Sequence, residues 1–206
     1  TSGKGRRGRS WDSKAGEGIF MTLLLKPDIQ PGNASMLTLV MALAVRAGIE
    51  DVVGIDTQIK WPNDIYWHDK KIAGILIENV LSGSTFSRAI IGMGLNINQK
   101  NFYSDAPNPV SLYQITGRTY KIEKILDEFT EAFGKRYTDT FTNSSDRIHK
   151  EYIAALYRND GEYPFYSDGN IFHASIADVE LDGHLLLSTE SGEKKRFAFK
   201  EVSFLL

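Results

Sequence analysis

The sequence predicts an α+β fold: a mixed β-sheet with flanking helices, followed by a small β-barrel. Three observations carry that expectation. Lys121–Thr140 repeats apolar residues at helical spacing, with Ile125, Leu126, Phe129, Phe133 and Tyr137 on one face. The part before it alternates short apolar runs with turn residues, the texture of strands. After Asp160-Gly161 only short β-rich runs remain, separated by Ser167-Asp168-Gly169-Asn170, Asp182-Gly183 and Ser191-Gly192. The chain therefore divides into a larger domain over residues 1–160 and a small barrel over 161–206.

Taken in order, Ile19–Leu25 is an apolar run that marks a buried strand, closed by Lys26-Pro27. Pro31-Gly32-Asn33 makes a turn. Ser35 is placed to cap a helix whose apolar residues Met36, Leu37, Leu39, Val40, Ala44 and Val45 recur up to Gly48, a stop signal. Thr57–Trp61 is a strand that enters the Pro62-Asn63-Asp64 turn. Ile65–Trp67 and Ile72–Ile77 flank His68-Asp69-Lys70-Lys71, which predicts a hairpin with a charged tip. Ala89–Asn98 is a strand interrupted by Gly92 and Gly94, and Asn101–Val110 is a loop containing Pro107 and Pro109. A second helix is expected over Asp146–Arg158. The barrel strands are expected at Asn170–Val179, His184–Ser188, Lys195–Ala198 and Val202–Leu205.

Composition narrows the function classes. With 206 residues, 42% hydrophobic and 24% charged, the chain has the make-up of a soluble globular protein rather than a disordered or fibrous one. No apolar run is long enough to span a bilayer, so no membrane partner is expected. The absence of cysteine excludes disulfides, thiolate metal sites and cysteine nucleophiles, and suits a reducing cytoplasm. His68, His149, His173 and His184 lack ligand spacing, so no structural metal is expected. Lys plus Arg is 24 against 26 for Asp plus Glu, a net charge of -2, which argues against binding nucleic acid through bulk charge.

The local charge is less even. Gly3-Lys4-Gly5-Arg6-Arg7-Gly8-Arg9-Ser10-Trp11 holds four basic residues, three glycines beyond the first pair of residues and no acid. Glycines allow close backbone approach, and guanidinium forks with bare N–H groups suit a phosphate or carboxylate. The same composition also describes an RNA-binding arm or a fraying terminus. Lys60 follows an apolar residue and precedes Trp61-Pro62. It reads either as a held point charge for an anion or as a strand-end lysine reaching solvent. Gly92 and Gly94 fit close-packing glycines or a surface where a flat ligand lies against the strand. Asn96 fits a contact to a base edge or a turn.

Together the opening loop, Lys60-Trp61-Pro62-Asn63-Asp64, Lys71-Ile72-Ala73-Gly74-Ile75-Leu76-Ile77-Glu78 and Gly92-Met93-Gly94-Leu95-Asn96-Ile97-Asn98 resemble the biotin protein ligase family in order and spacing. The resemblance implies a class II synthetase-like catalytic domain followed by an SH3-like C-terminal domain, of which Asp182–Leu187 is the most typical piece. It implies ATP-dependent activation of biotin to biotinyl-5′-AMP, then transfer to a lysine of a biotin carboxyl carrier domain. By the same resemblance Lys4, Gly5 and Arg6 close over biotin and the adenylate phosphate, and Arg9 and Trp11 lie near the phosphates and adenosine. Lys60 contacts the biotinyl carbonyl and phosphate, Gly92 and Gly94 floor the biotin, and Asn96 meets adenine. Lys60 and Arg6 are the implied catalytic residues, and Mg²⁺ accompanies the pyrophosphate. Lys4 departs from the commoner family arginine, which puts a bidentate contact there in doubt. The family's Ser-Thr-Asn motif and glutamine, which bind the biotin ureido head, would precede Thr1, so the resemblance implies a catalytic domain incomplete at its N-terminal side. A homodimer is compatible, and DNA binding is expected only with an upstream helix-turn-helix. A lipoyl ligase or transferase of the same superfamily is the nearest alternative, which the basic loop followed by Lys60–Asp64 fits less well. A nucleic-acid-binding module with a basic arm is the alternative from another class.

Overall fold

Three antiparallel sheets and four α-helices are present among the described residues of a computed structural model, which describes residues 3–4, 10–11, 14–82, 85–103, 107–140 and 145–205. Two short strands, β1 (Gly3–Lys4) and β2 (Ser10–Trp11), pair with each other near the start. The larger sheet contains β3 (Gly18–Leu25), β4 (Gln58–Lys60), β5 (Asp64–Trp67), β6 (Lys70–Ser82) and β7 (Thr85–Asn96), ordered β3-β7-β6-β5-β4. Every strand pairing in it is antiparallel, which corrects the expected mixed sheet. The reason is connectivity: β4 to β7 follow one another through short turns, and such turns can join only antiparallel neighbours. Parallel geometry is confined among the described residues to the isolated bridges Ile59–Leu156 and Lys71–Pro109.

Strand alternation gives this sheet two faces. Ile19, Ile59, Ile65, Ala73, Ile75, Ile91, Met93 and Leu95 are buried on one of them, beneath α1 (Ser35–Val53). α1 is apolar nearly all round because α3 (Ile122–Thr140) covers its other side. Gly48 is not the expected stop. It lies inside α1 at the crossing with α3, where an added Cβ would stand 3.0 Å from the backbone nitrogen of Phe129. The helix instead ends at Gly54, whose φ of 72° lets its N–H reach the Glu50 carbonyl at 2.9 Å. Ser35 does not cap the helix either; its hydroxyl donates to the Leu181 carbonyl in the C-terminal part.

The expected α3 face is present, with Phe129, Phe133 and Tyr137 stacked in succession. α2 (Leu112–Thr116) was not expected, although Ser111 and Gln114 form a capping box that the Ser-x-x-Gln spacing encodes. α4 (Ser145–Ala154) stops short of Arg158, because the chain beyond it pairs with β4: Ile59 donates to the Ala155 carbonyl and Tyr157 donates to that of Ile59. No helix among the described residues is long and apolar enough to cross a membrane.

The second sheet is ordered β11-β10-β9-β8-β12, from β8 (Tyr163–Ser167), β9 (Asn170–Val179), β10 (Leu185–Thr189), β11 (Lys194–Phe197) and β12 (Ser203–Phe204). β8 was not among the expected strands, since Pro164 interrupts its pattern. The sheet of the expected small barrel does not close: β11 and β12 are its two edges, unpaired with each other among the described residues. Closure needs matched tilt and stagger along every strand, and β12 is only two residues long. Phe165, Ala174, Val179, Leu185, Leu187, Phe197 and Val202 form the buried side of this open sheet.

Candidate active site

The face of the larger sheet turned away from α1 carries Lys60, Gly92 and Gly94 among the residues singled out in the sequence. Register places Lys60 opposite Asp64, Asp64 opposite Gly74, Gly74 opposite Gly94, and Gly94 opposite Phe20, so one row crosses all five strands. The next row carries Leu76, Gly92 and Thr22. Gly74, Gly92 and Gly94 contribute no side chains of their own to the middle of this face, and Gly94 is buried. A Cβ built on Gly92 would meet nothing closer than the Leu76 carbonyl oxygen at 3.8 Å, so packing does not demand a glycine there. Its backbone does not demand one either, since Gly92 is absent from the positive-φ residues.

Two lysines border this glycine row. Lys60 is at the β4 end of the row, three strands from Gly94, or about 14 Å between backbones at the usual strand spacing. Its Nζ donates to the Tyr66 hydroxyl at 3.3 Å and lies 4.7, 5.9 and 5.5 Å from the ring centres of Tyr66, Tyr157 and Phe204. Burial lowers its pKa below the ordinary lysine value; Arg158 and Lys71 act in the same direction, while Asp64 and Asp69 oppose it. Lys71 belongs to β6, closer to the glycines, and its Nζ is 2.7 Å from Asp64 Oδ1. In the sequence Lys71 stands at the charged hairpin tip and at the start of the Lys71–Glu78 run, without a functional role assigned to it. Its signal was a lysine two positions before the Ala73-Gly74 pair.

The turn between β4 and β5 is fastened on three sides. The Trp61 indole N–H donates to the Gly183 carbonyl at 3.1 Å, the Tyr152 hydroxyl donates to that of Pro62 at 3.3 Å, and the Asn63 side chain donates to that of Ile75. The Trp61–Pro62 peptide is cis.

Asn96 is buried at the end of β7. Its amide donates to the Val110 carbonyl at 3.3 Å and its oxygen accepts from Gln99 Nε2 at 3.3 Å, so it ties down the loop that follows. Asn98 does the same for Tyr120, donating to its carbonyl and accepting from its N–H, both at 2.9 Å. Beyond these asparagines lies a polar cleft of about 320 Å³ lined by Lys14, Glu17, Asn98, Gln99, Lys100, Asn101 and Tyr103. Sequence reasoning missed it, because its walls come from two irregular segments far apart in the chain.

The remaining sequence-predicted residues belong to the opening loop. Gly5, Arg6 and Arg9 lie outside the described residues. Lys4 and Trp11 belong to the paired strands β1 and β2, with Lys4 opposite Ser10 and Gly3 opposite Trp11. Among the described residues one group has the make-up of a cation site, Glu180, Asp182 and His184. The Arg196 guanidinium bonds to all three, so a cation of the protein already fills it.

Known proteins are similar to this chain over most of its length. The Biotin/lipoate A/B protein ligase family matches residues 1–96. The bifunctional ligase/repressor BirA of Bacillus spizizenii is 35% identical over 206 residues, covering 96% of this chain and 62% of the Bacillus protein. This chain thus spans less than two thirds of that relative. The biotin–[acetyl-CoA-carboxylase] ligase of Paracoccus denitrificans is 32% identical over 200 residues, covering 94% of this chain and 82% of that protein. Among solved structures, the biotin protein ligase of Aquifex aeolicus in complex with biotin and ATP superposes with a TM-score of 0.78. It is 27% identical, over 98% of this chain and 83% of that one.

Proposed function

From its membership of the biotin protein ligase family, we infer that this chain activates biotin with ATP and passes the biotinyl group to a lysine of a biotin carboxyl carrier domain. The observation that carries the reading is the glycine-floored sheet face bordered by Lys60 and Lys71. A flat bicyclic ligand can lie against Gly74, Gly92 and Gly94, with its carboxylate toward the lysines.

In the first step a biotin carboxylate oxygen attacks the α-phosphorus of ATP. The bond from that phosphorus to the bridging oxygen breaks, and pyrophosphate leaves with the Mg²⁺ that ATP brings as substrate. Two anions must approach each other, and at ~4 Å their repulsion is about 4 kcal/mol at an effective dielectric near 20. Lys71, Lys60 and the opening loop with Arg6 and Arg9 provide the opposing charge; positioning and electrostatics, without a side-chain nucleophile, suffice. In the second step the acceptor amine attacks the biotinyl carbonyl carbon, the bond from that carbon to the phosphate oxygen breaks, AMP leaves, and the amine proton passes to water. Asn96 holds the loop beside the polar cleft, which is sized for the nucleotide base. A functional division near residue 160, with an SH3-related C-terminal unit, and a cytoplasmic setting where ATP is available, complete the reading.

The test is biotin-dependent exchange of pyrophosphate into ATP, with Mg²⁺ present and no acceptor protein. Exchange that requires biotin and is not supported by lipoate is expected. Exchange supported by lipoate instead would assign the chain to lipoyl chemistry, and none with either would overturn acid activation by this chain.

A further inference from the structure

The turn between β9 and β10 reaches from the C-terminal sheet to the connection that carries Lys60. Lys60 pairs with Asp64, so only Trp61, Pro62 and Asn63 join β4 to β5. Trp61 is 6% exposed. Its indole N–H bonds to the Gly183 carbonyl at 3.1 Å, and its ring meets Phe199 edge-on with centres 6.3 Å apart. The receiving turn is itself held. Glu180 N–H donates to the His184 carbonyl at 2.9 Å, and Gly183 N–H donates to that of Glu180 at 2.8 Å. Gly183 has a φ of 93°, which favours glycine, and Arg196 on β11 binds Glu180, Asp182 and His184. The neighbouring Leu181 carbonyl takes the Ser35 hydroxyl at the start of α1. The C-terminal sheet also supplies Phe204, one of the three rings around the Lys60 ammonium.

We propose that Trp61 is a positioning residue: by anchoring the β4–β5 connection to Gly183 and Phe199, it sets where Lys60 and Asp64 stand on the open face. The C-terminal sheet thereby shapes the site without adding a charged group to the row. A three-residue connection cannot absorb a displacement of its first residue, so a shift of Trp61 passes along the backbone into the adjoining Lys60. A merely structural tryptophan would instead affect folding and leave the placement of Lys60 unchanged.

Trp61→Phe keeps an aromatic ring and removes the donor. Phe199→Leu removes the edge contact at a residue that is 42% exposed, where the fold tolerates truncation. The first readout is the NMR shift of the Lys60 ε-CH₂ group, displaced in the parent protein by the surrounding rings and assigned by its loss in Lys60→Met. It is expected to move toward the free-lysine value in Trp61→Phe and less far in Phe199→Leu, with thermal melts showing each variant folded. The second readout rests on the ligase reading: kcat for biotin-dependent pyrophosphate exchange falls about tenfold in Trp61→Phe, the scale of one hydrogen bond, while KM for biotin stays within about twofold. An unmoved Lys60 resonance in both folded variants would overturn the proposal, as would a rise in KM with kcat intact. A moved resonance in a protein that catalyses no exchange would uphold the coupling and refute the ligase reading alone.

Discussion

Replacing Gly92 by alanine separates a glycine kept for packing from one kept for a ligand. The new Cβ would lie 3.8 Å from the Leu76 carbonyl oxygen and 3.9 Å from Leu76 Cβ, both ordinary contacts. Glycine in a strand interior is worse than alanine by about 0.5–1 kcal/mol, because it loses more freedom on folding. Gly92→Ala is therefore expected to be more stable than the parent, by about 2–4 °C in Tm for each kcal/mol in a chain of this size. A ligand in contact with this floor sees the reverse. The methyl group stands ~1.5 Å above the Cα, and a misplacement of ~1 Å from reacting geometry costs on the order of a hundredfold in rate. The expected result is a raised Tm with kcat/KM for biotin in pyrophosphate exchange reduced by roughly ten- to a hundredfold. Wild-type kcat/KM would place the ligand away from this row, and a lowered Tm would show that the strand needs a glycine for its own packing.

Other perturbations test the lysines and the helix-covered face. Lys71→Ala should reduce pyrophosphate exchange by about 10²–10³-fold if its charge faces the reacting phosphate. The melting temperature should hardly move, because its ion pair with Asp64 is partly exposed. Lys60→Met should lose stability relative to the parent as pH rises. Since burial holds the folded Lys60 pKa below the unfolded one, the unfolded chain binds more protons between those two values, and the parent alone gains stability there with pH. Urea melts of both proteins between neutral pH and about pH 10 check this sign, and a difference independent of pH would refute it. Gly48→Ala, in contrast, should destabilise: its Cβ would fall 3.0–3.1 Å from Phe129 N, Cα and Cβ. Overpacking of about 1–3 kcal/mol then exceeds the helix-propensity gain of about 1 kcal/mol, so thermal melting should show a lower Tm.

The parts legible in the sequence are those set by local pattern. The strand at Ile19–Leu25, the charged hairpin after Trp67 and the apolar stripe of α3 follow from periodicity and turn chemistry and are present, but the strand expected to be buried is an edge strand with Leu24 67% exposed, and Lys70 and Lys71 of the expected tip already belong to β6. The errors arise where a residue answers to a distant partner. Gly48 carries a stop signal in isolation, yet it serves a crossing with Phe129, and Ser35 has a capping side chain engaged by Leu181. The open-face row was half legible. Gly92 and Gly94 stood out as interruptions of a strand, but only register reveals that Gly74 faces Gly94 and that Lys71 flanks them. The cleft beyond Asn98 was not legible at all, since the segments around Lys14 and Lys100 share no motif and meet only through the fold.

The two faces of the larger sheet carry opposite energetic signs. On the open face, three glycines weaken the strands and Lys60 is partly desolvated, and each of these features costs stability. The opposite face compensates: Met36, Leu37, Leu39, Val40, Leu43 and Val45 of α1 are buried, along with the inward residues of five strands. A fully buried side chain of this kind contributes about 1.5–3 kcal/mol, so a few of them offset the whole open face. The division is not complete: on the second face Tyr66 is buried against Tyr157, and Gly94 is buried as well. On the proposed reading, folding and ligand binding draw on different residues of the same strands. Ile91 and Gly92 are adjacent in β7 yet point to opposite faces. Ile91→Val should lower Tm and leave kcat/KM of the folded enzyme unchanged, whereas Gly92→Ala should do the opposite. A common effect of both substitutions on stability and turnover would show that the faces are not independent.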